Sequence, residues 1–171
     1  MKVAGAVAAT LLALALQTTL ARFLTRGAFA VDLVLIVVVY VALTSGAVTG
    51  LFLGTFAGLI QDALTPGYSV IGIGGLAKTI VGFLAGIIGT QFIVAQPLPR
   101  FVVFFGATLL HAVVFIGLYV VLGLRSFSAP YAVLVGQAVG NAVVGVVAFQ
   151  LVEFLPGAVE RRRMAKTRIR R

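Results

Sequence analysis

The chain has 171 residues, 61% of them hydrophobic and only 10% charged, with a mean hydropathy of +1.19. A soluble domain of this size does not bury so much apolar surface, so the bilayer is the solvent for most of the chain, and without cysteine it has no disulfide or thiolate chemistry. The formal charge of +9 does not point to nucleic acid, because seven of the thirteen basic residues fall in the last eleven positions.

A spanning helix needs roughly 20 apolar residues, which predicts an all-α integral membrane protein of six spans. The first is expected at 3–21. Lys2 ahead of an apolar run is like a signal peptide, but no small-x-small cleavage site followed by a soluble domain appears, so the run reads as a span. Gln17 and Thr18 lie near its end. The stretch Arg22 to Gly27 breaks the pattern before a short second span at 31–45, which opens on Asp32. A carboxylate there favours the helix dipole, or pairs with Arg22 or Arg26. Thr44-Ser45-Gly46 reads as a tight turn.

The third span, 46–64, carries Gly46, Gly50, Gly54 and Gly58 four residues apart, with Asp62 on the same spacing. Such a stripe stacks on one helix face and lets another backbone come close in lipid. It either packs internally or seats a partner helix, and Asp62 ends it as a polar anchor. After Thr65-Pro66-Gly67 comes the fourth span at 72–94, where Lys78 shares a face with Gly74, Gly82 and Gly86. Were residues 71–75 partly unwound, Lys78 would lie near the interface and meet Asp62. A structural ion pair, a ligand-binding lysine and a snorkelling lysine all remain open.

Gln96-Pro97-Leu98-Pro99-Arg100 reads as a loop, because two prolines and a charge interrupt a helix. In the fifth span, 101–123, His111 shares a face with Phe104, Ala107, Thr108 and Phe115; a neutral histidine hydrogen-bonded between helices is expected, with a proton relay as the alternative. In the sixth, 130–155, Gln137 and Asn141 stand four apart beside Gly136 and Gly140, as interhelical hydrogen bonds or as a polar cavity wall. Glu153 marks the interface. The domain ends near 160, and 161–171 form a basic tail with Arg161, Arg162, Arg163, Lys166, Arg168, Arg170 and Arg171.

Six spans put both termini on one side. Lys2, Arg100 and the seven tail residues give nine charges on that side, against Arg22, Arg26 and Arg125 on the other. The excess predicts a cytoplasmic amino and carboxyl terminus. The tail serves topology first, with anionic lipid or a cytoplasmic protein as further partners. Catalysis is not expected: four carboxylates are scattered along the chain and no serine has a base at helical spacing. No cofactor is expected either.

Residues 11–90 resemble the bacterial rod shape-determining MreD family. The likeness runs through Leu16-Gln17-Thr18-Thr19-Leu20, Asp32-Leu33-Val34-Leu35 and Tyr40-Val41-Ala42-Leu43. It continues through Gly46 to Gly58, Gly58-Leu59-Ile60-Gln61-Asp62, and Gly74-Gly75-Leu76-Ala77-Lys78-Thr79 followed by Gly82 and Gly86. The family often has proline where Val31 stands and basic residues where Thr44 and Ser45 stand. The resemblance implies a six-helix bundle similar to the substrate-binding components of energy-coupling-factor vitamin transporters. It also implies a non-catalytic role in the inner membrane, with MreC, RodA, a class B penicillin-binding protein and cytoskeletal MreB as partners. The rival expectation is a vitamin-transporter subunit with a pocket near Lys78, His111 and Asn141. A proton-coupled transporter is disfavoured by the shortage of titratable groups.

Overall fold

A computed structural model describes residues 3–24, 31–65, 70–92, 96–124 and 131–168, and of 3, 20–24 and 155–168 the backbone alone. These residues form six helices and no strand: α1 Val3–Leu24, α2 Leu33–Ser45, α3 Ala47–Leu64, α4 Ile73–Gln91, α5 Pro97–Val121 and α6 Tyr131–Arg168. Four are long and apolar enough to cross a membrane, namely α3, α4, α5 and the Tyr131–Phe154 stretch of α6, while the apolar stretches Ala4–Thr19 and Leu33–Ser45 are shorter. The chain is therefore an all-α, multi-pass membrane protein.

α2 lies at the centre. Its 13 residues are apolar on every side, and a helix hydrophobic all round belongs in an interior. Accordingly Val34, Leu35, Ile36, Val38, Val39, Val41, Ala42 and Leu43 are all buried. One apolar cluster joins its Leu35 and Val39 to Val81 and Ala85 of α4, Phe104 of α5 and Phe149 of α6. A second joins Val34, Val38 and Val41 to Ala13 and Leu14 of α1 and Leu53 and Ala57 of α3. The shortness of this segment is thus matched by neighbours on every flank.

Gly46 links α2 to α3 with φ 91°, a backbone that side chains with a Cβ rarely adopt. Its place is the turn and not the packing stripe, since a Cβ there would meet only Thr90 Cγ2 at an ordinary 3.7 Å. The rest of the stripe packs internally. A Cβ on Gly50 would overlap the Gly82 carbonyl, and one on Gly82 would overlap the Gly50 carbonyl. Gly54 lies in the same way on the Lys78 carbonyl, Gly58 on the Gly75 backbone and Gly86 on that of Ala47. Across this seam Thr55 Oγ1 and Thr79 Oγ1 share a hydrogen bond of 2.7 Å. The face expected either to pack internally or to seat a partner helix is closed by α4.

Two expected boundaries are corrected. The Gln96–Arg100 stretch is not a loop up to 101, because α5 starts at Pro97. Both prolines fall in its first turn, where helical N–H groups have no intrahelical partner and proline costs nothing. α6 does not stop at 155 but continues to Arg168, so the basic stretch prolongs the last helix. The side chains of Arg161, Arg162, Arg163, Lys166 and Arg168, like Arg170, Arg171, Arg26, Arg125 and the turn at 66–69, lie outside the described residues.

Candidate functional site

The polar residues of the spans gather at one end of the bundle, where α1 and α3 finish and α2, α4 and α6 start. Asp32 caps α2, its Oδ1 accepting from Leu35 N at 2.9 Å. Its other oxygen, Oδ2, lies 2.8 Å from Lys78 Nζ. Both residues are buried, Lys78 to 3% exposure. Lys78 therefore pairs with Asp32 and not with Asp62, while the side chains of Arg22 and Arg26, the partners considered for Asp32, lie outside the described residues. The lysine arises one turn into α4 and reaches the amino end of α2, while the Asp62 carboxylate is occupied elsewhere.

Asp62 accepts three backbone N–H groups on Oδ2: Gly72 at 2.9 Å, Gly74 at 2.9 Å and Gly75 at 3.3 Å. Those donors lie at the start of α4, which has no capping side chain of its own. A carboxylate from α3 thus caps α4 and meets the positive end of its dipole. The glycine at 74 lets the carboxylate come this close, since a Cβ there would overlap it, whereas a Cβ on Gly75 would press on Leu59.

His111 Nε2 lies 3.1 Å from Lys78 Nζ. An ammonium only donates, so Nε2 is the acceptor and the ring proton sits on Nδ1. The histidine thus bonds across helices as a neutral ring, with the lysine standing between a carboxylate and an imidazole from α2, α4 and α5. His111 stacks on Phe115 at a ring separation of 5.8 Å.

Asn141 holds the same junction from α6. Its Oδ1 accepts from Asp32 N at 2.8 Å and its Nδ2 donates to Thr108 Oγ1 at 3.1 Å. It is fully buried, which matches the interhelical reading. Gln137, one turn earlier, has no side-chain partner among the described residues and lines a cavity instead. That cavity, of about 310 Å³, is bounded by Gln17, Val31, Asp32, Gln61, Asp62, Gly74, Lys78, His111, Ala112, Phe115, Ile116, Leu134 and Gln137. Gln17 also ties α1 in, its Oε1 accepting from Val34 N at 3.3 Å.

A second polar junction lies at the other end. Arg100, 4% exposed, donates to both oxygens of Glu153, Nη1 to Oε2 and Nη2 to Oε1, each at 2.8 Å. The guanidinium also lies 3.9 Å over the Phe149 ring. Sequence reading put Arg100 in a loop among the cytoplasmic charges and Glu153 at the interface, and missed the pair. The partners stand 53 positions apart, and only a known packing of α5 on α6 would have joined them.

The geometry supplies a fixed polar core and an open cavity. A family model for the rod shape-determining protein MreD matches residues 4–156, so the match takes in every residue of both junctions. No curated protein and no solved structure matches the chain.

Proposed function

From a chain that belongs to the MreD family of rod shape-determining proteins, we propose a non-catalytic scaffold of the cell-wall elongation machinery in the bacterial inner membrane. The scaffold binds MreC and supports the complex of RodA with a class B penicillin-binding protein, with MreB on the cytoplasmic side. Both termini are cytoplasmic in this reading, α1 and α2 complete a six-span bundle, and the architecture is akin to that of energy-coupling-factor substrate-binding components.

The family match carries the reading, and the polar core supports it. Lys78, Asp32, Asp62, Asn141 and Arg100 spend their hydrogen bonds on joining helices, as a rigid platform requires and a reaction centre does not. The internally closed glycine seam leaves the partner surface to other faces, among them the exposed valines of α5 and α6 such as Val113, Val139 and Val143.

The cavity favours the second reading, a vitamin-transporter subunit, since fold alone does not decide function. One experiment separates the two. The protein, tagged at its amino terminus, is purified from its own host in mild detergent and its companions are identified by mass spectrometry. Enrichment of MreC, RodA and a penicillin-binding protein is expected; enrichment of paired ATPases and a membrane coupling subunit would overturn the scaffold.

A further inference from the structure

The cavity between the polar ends of α1, α3, α4, α5 and α6 is larger than its structural duties require. Among the described residues its charged groups are already matched. Lys78 is paired with Asp32, and Asp62 takes the N–H groups of Gly72, Gly74 and Gly75. A charged ligand would have to break one of these arrangements, and two carboxylates against one ammonium repel an anion.

Uncharged hydrogen-bonding capacity is left over. Among the described residues Gln137 uses neither end of its amide, and Gln61 Oε1 is shut away from solvent with no donor. Gln17 spends only its carbonyl, and the Nδ1–H of His111 has no partner among the described residues. Glutamine amides offer donor and acceptor side by side, which matches neighbouring hydroxyls that are themselves both. Phe115, Ile116 and Leu134 supply an apolar wall on which the C–H face of a sugar ring can lie. The volume of about 310 Å³ stands at the foot of the ~300–1,000 Å³ range of ligand pockets, enough for one ring and not for a chain.

We propose that this cavity is a binding site for a single uncharged sugar ring, held by Gln61 and Gln137 and entering from the end of the bundle where α4 and α6 begin. The ring arrives either as a free monosaccharide or as the headgroup of a glycolipid. The site does not depend on the scaffold reading, and its test uses the isolated protein.

The full chain is placed in nanodiscs of phosphatidylethanolamine and phosphatidylglycerol, free of sugar-based detergent, and its thermal unfolding is followed against glucose. A saturable rise in the midpoint is expected. In Gln137→Leu, and independently in Gln61→Leu, half-saturation weakens by about tenfold, as loss of one hydrogen bond predicts. Gln150→Leu, on an exposed turn of α6 away from the cavity, responds as the parent does. Replacing part of the lipid by glucosyl diacylglycerol gives the second arm: a raised midpoint that no longer responds to glucose identifies the headgroup as the source. No saturable response in either arm, half-saturation in both glutamine variants unchanged from the parent, or a stronger response to gluconate or glucosamine than to glucose would each overturn the site.

Discussion

Lys78 reaches Asp32 across 46 positions of sequence, its Nζ 2.8 Å from Oδ2, with both side chains withdrawn from solvent. A pair of this kind in a low-dielectric interior is weak evidence for added stability, but breaking it on one side leaves a buried charge. Lys78→Met is therefore expected to cost about 3–5 kcal/mol. Adding Asp32→Asn to that variant removes the orphaned carboxylate while keeping an acceptor for Leu35 N, and recovers much of the loss. Reversible unfolding of the two variants in mild detergent checks this; a double variant as unstable as the single one would place the cost elsewhere than in the unpaired charge.

The α3–α4 seam separates glycines that are needed from those that are not. At Gly50 and Gly82 a methyl group would enter the facing backbone, whereas at Gly106 and Gly117 it would meet nothing within 4 Å. Gly82→Ala is expected to cost more than ~2 kcal/mol, in the manner of an overpacked core. Gly106→Ala gains slightly from helix propensity, by up to about 1 kcal/mol. Yields of folded protein on size-exclusion chromatography rank the two; equal yields would deny the seam its tightness.

Asp62 caps a helix other than its own. Asp62→Asn keeps one acceptor oxygen for the N–H groups of Gly72, Gly74 and Gly75, whereas Asp62→Leu keeps none. Each buried donor left without a partner costs about 1–3 kcal/mol, so the leucine variant is expected to be much the worse. Amide hydrogen exchange at 72–75 reads the effect locally, with protection lost in Asp62→Leu and mostly retained in Asp62→Asn.

At the other end, Arg100→Lys tests fork geometry against charge. Lysine keeps the charge but not two parallel hydrogen bonds to Glu153, nor the flat stacking on Phe149. A loss of roughly 1.5–3 kcal/mol is expected. Glu153 is exposed, so solvent screening holds the loss toward the lower figure. Cross-linking between cysteines placed on exposed turns of α5 and α6 would slow in the variant; an unchanged rate would make the pair incidental.

Much of this was legible in the chain. The apolar runs fixed the helices, and the four-residue glycine spacing identified a close-packed face on α3 together with its counterpart at Gly82 and Gly86. Helical spacing also put Asn141 on an inward face, where it bonds between helices. Partners stayed hidden because spacing within a helix says nothing about which helix stands opposite. Asp32 was read as an acid favouring the dipole at the start of α2, where it also caps the helix, but its second oxygen belongs to Lys78, a fact that needs the three-dimensional neighbourhood of α2 and α4. Asp62 stood open to the lysine only if residues 71–75 were partly unwound, whereas backbone N–H groups at a glycine-rich helix start take the carboxylate. The prolines at 97 and 99 were read as breakers because a first-turn position and a loop look alike in sequence.

The thirteen-residue α2 has a consequence for how the protein is made. At about 1.5 Å per residue it covers only ~20 Å of a hydrocarbon layer ~30 Å thick. Its amino end carries a carboxylate whose countercharge is synthesised 46 residues later. Among the described residues no other cation pairs with that acid until α4 emerges, and the α4 flank of the helix stays open until then. An order of assembly is expected to follow, in which the α2–α3 hairpin is locked in place only once Lys78 arrives. Lys78 variants should accordingly be cleared by membrane proteases as nascent chains, before any shape phenotype of the mature protein could be scored.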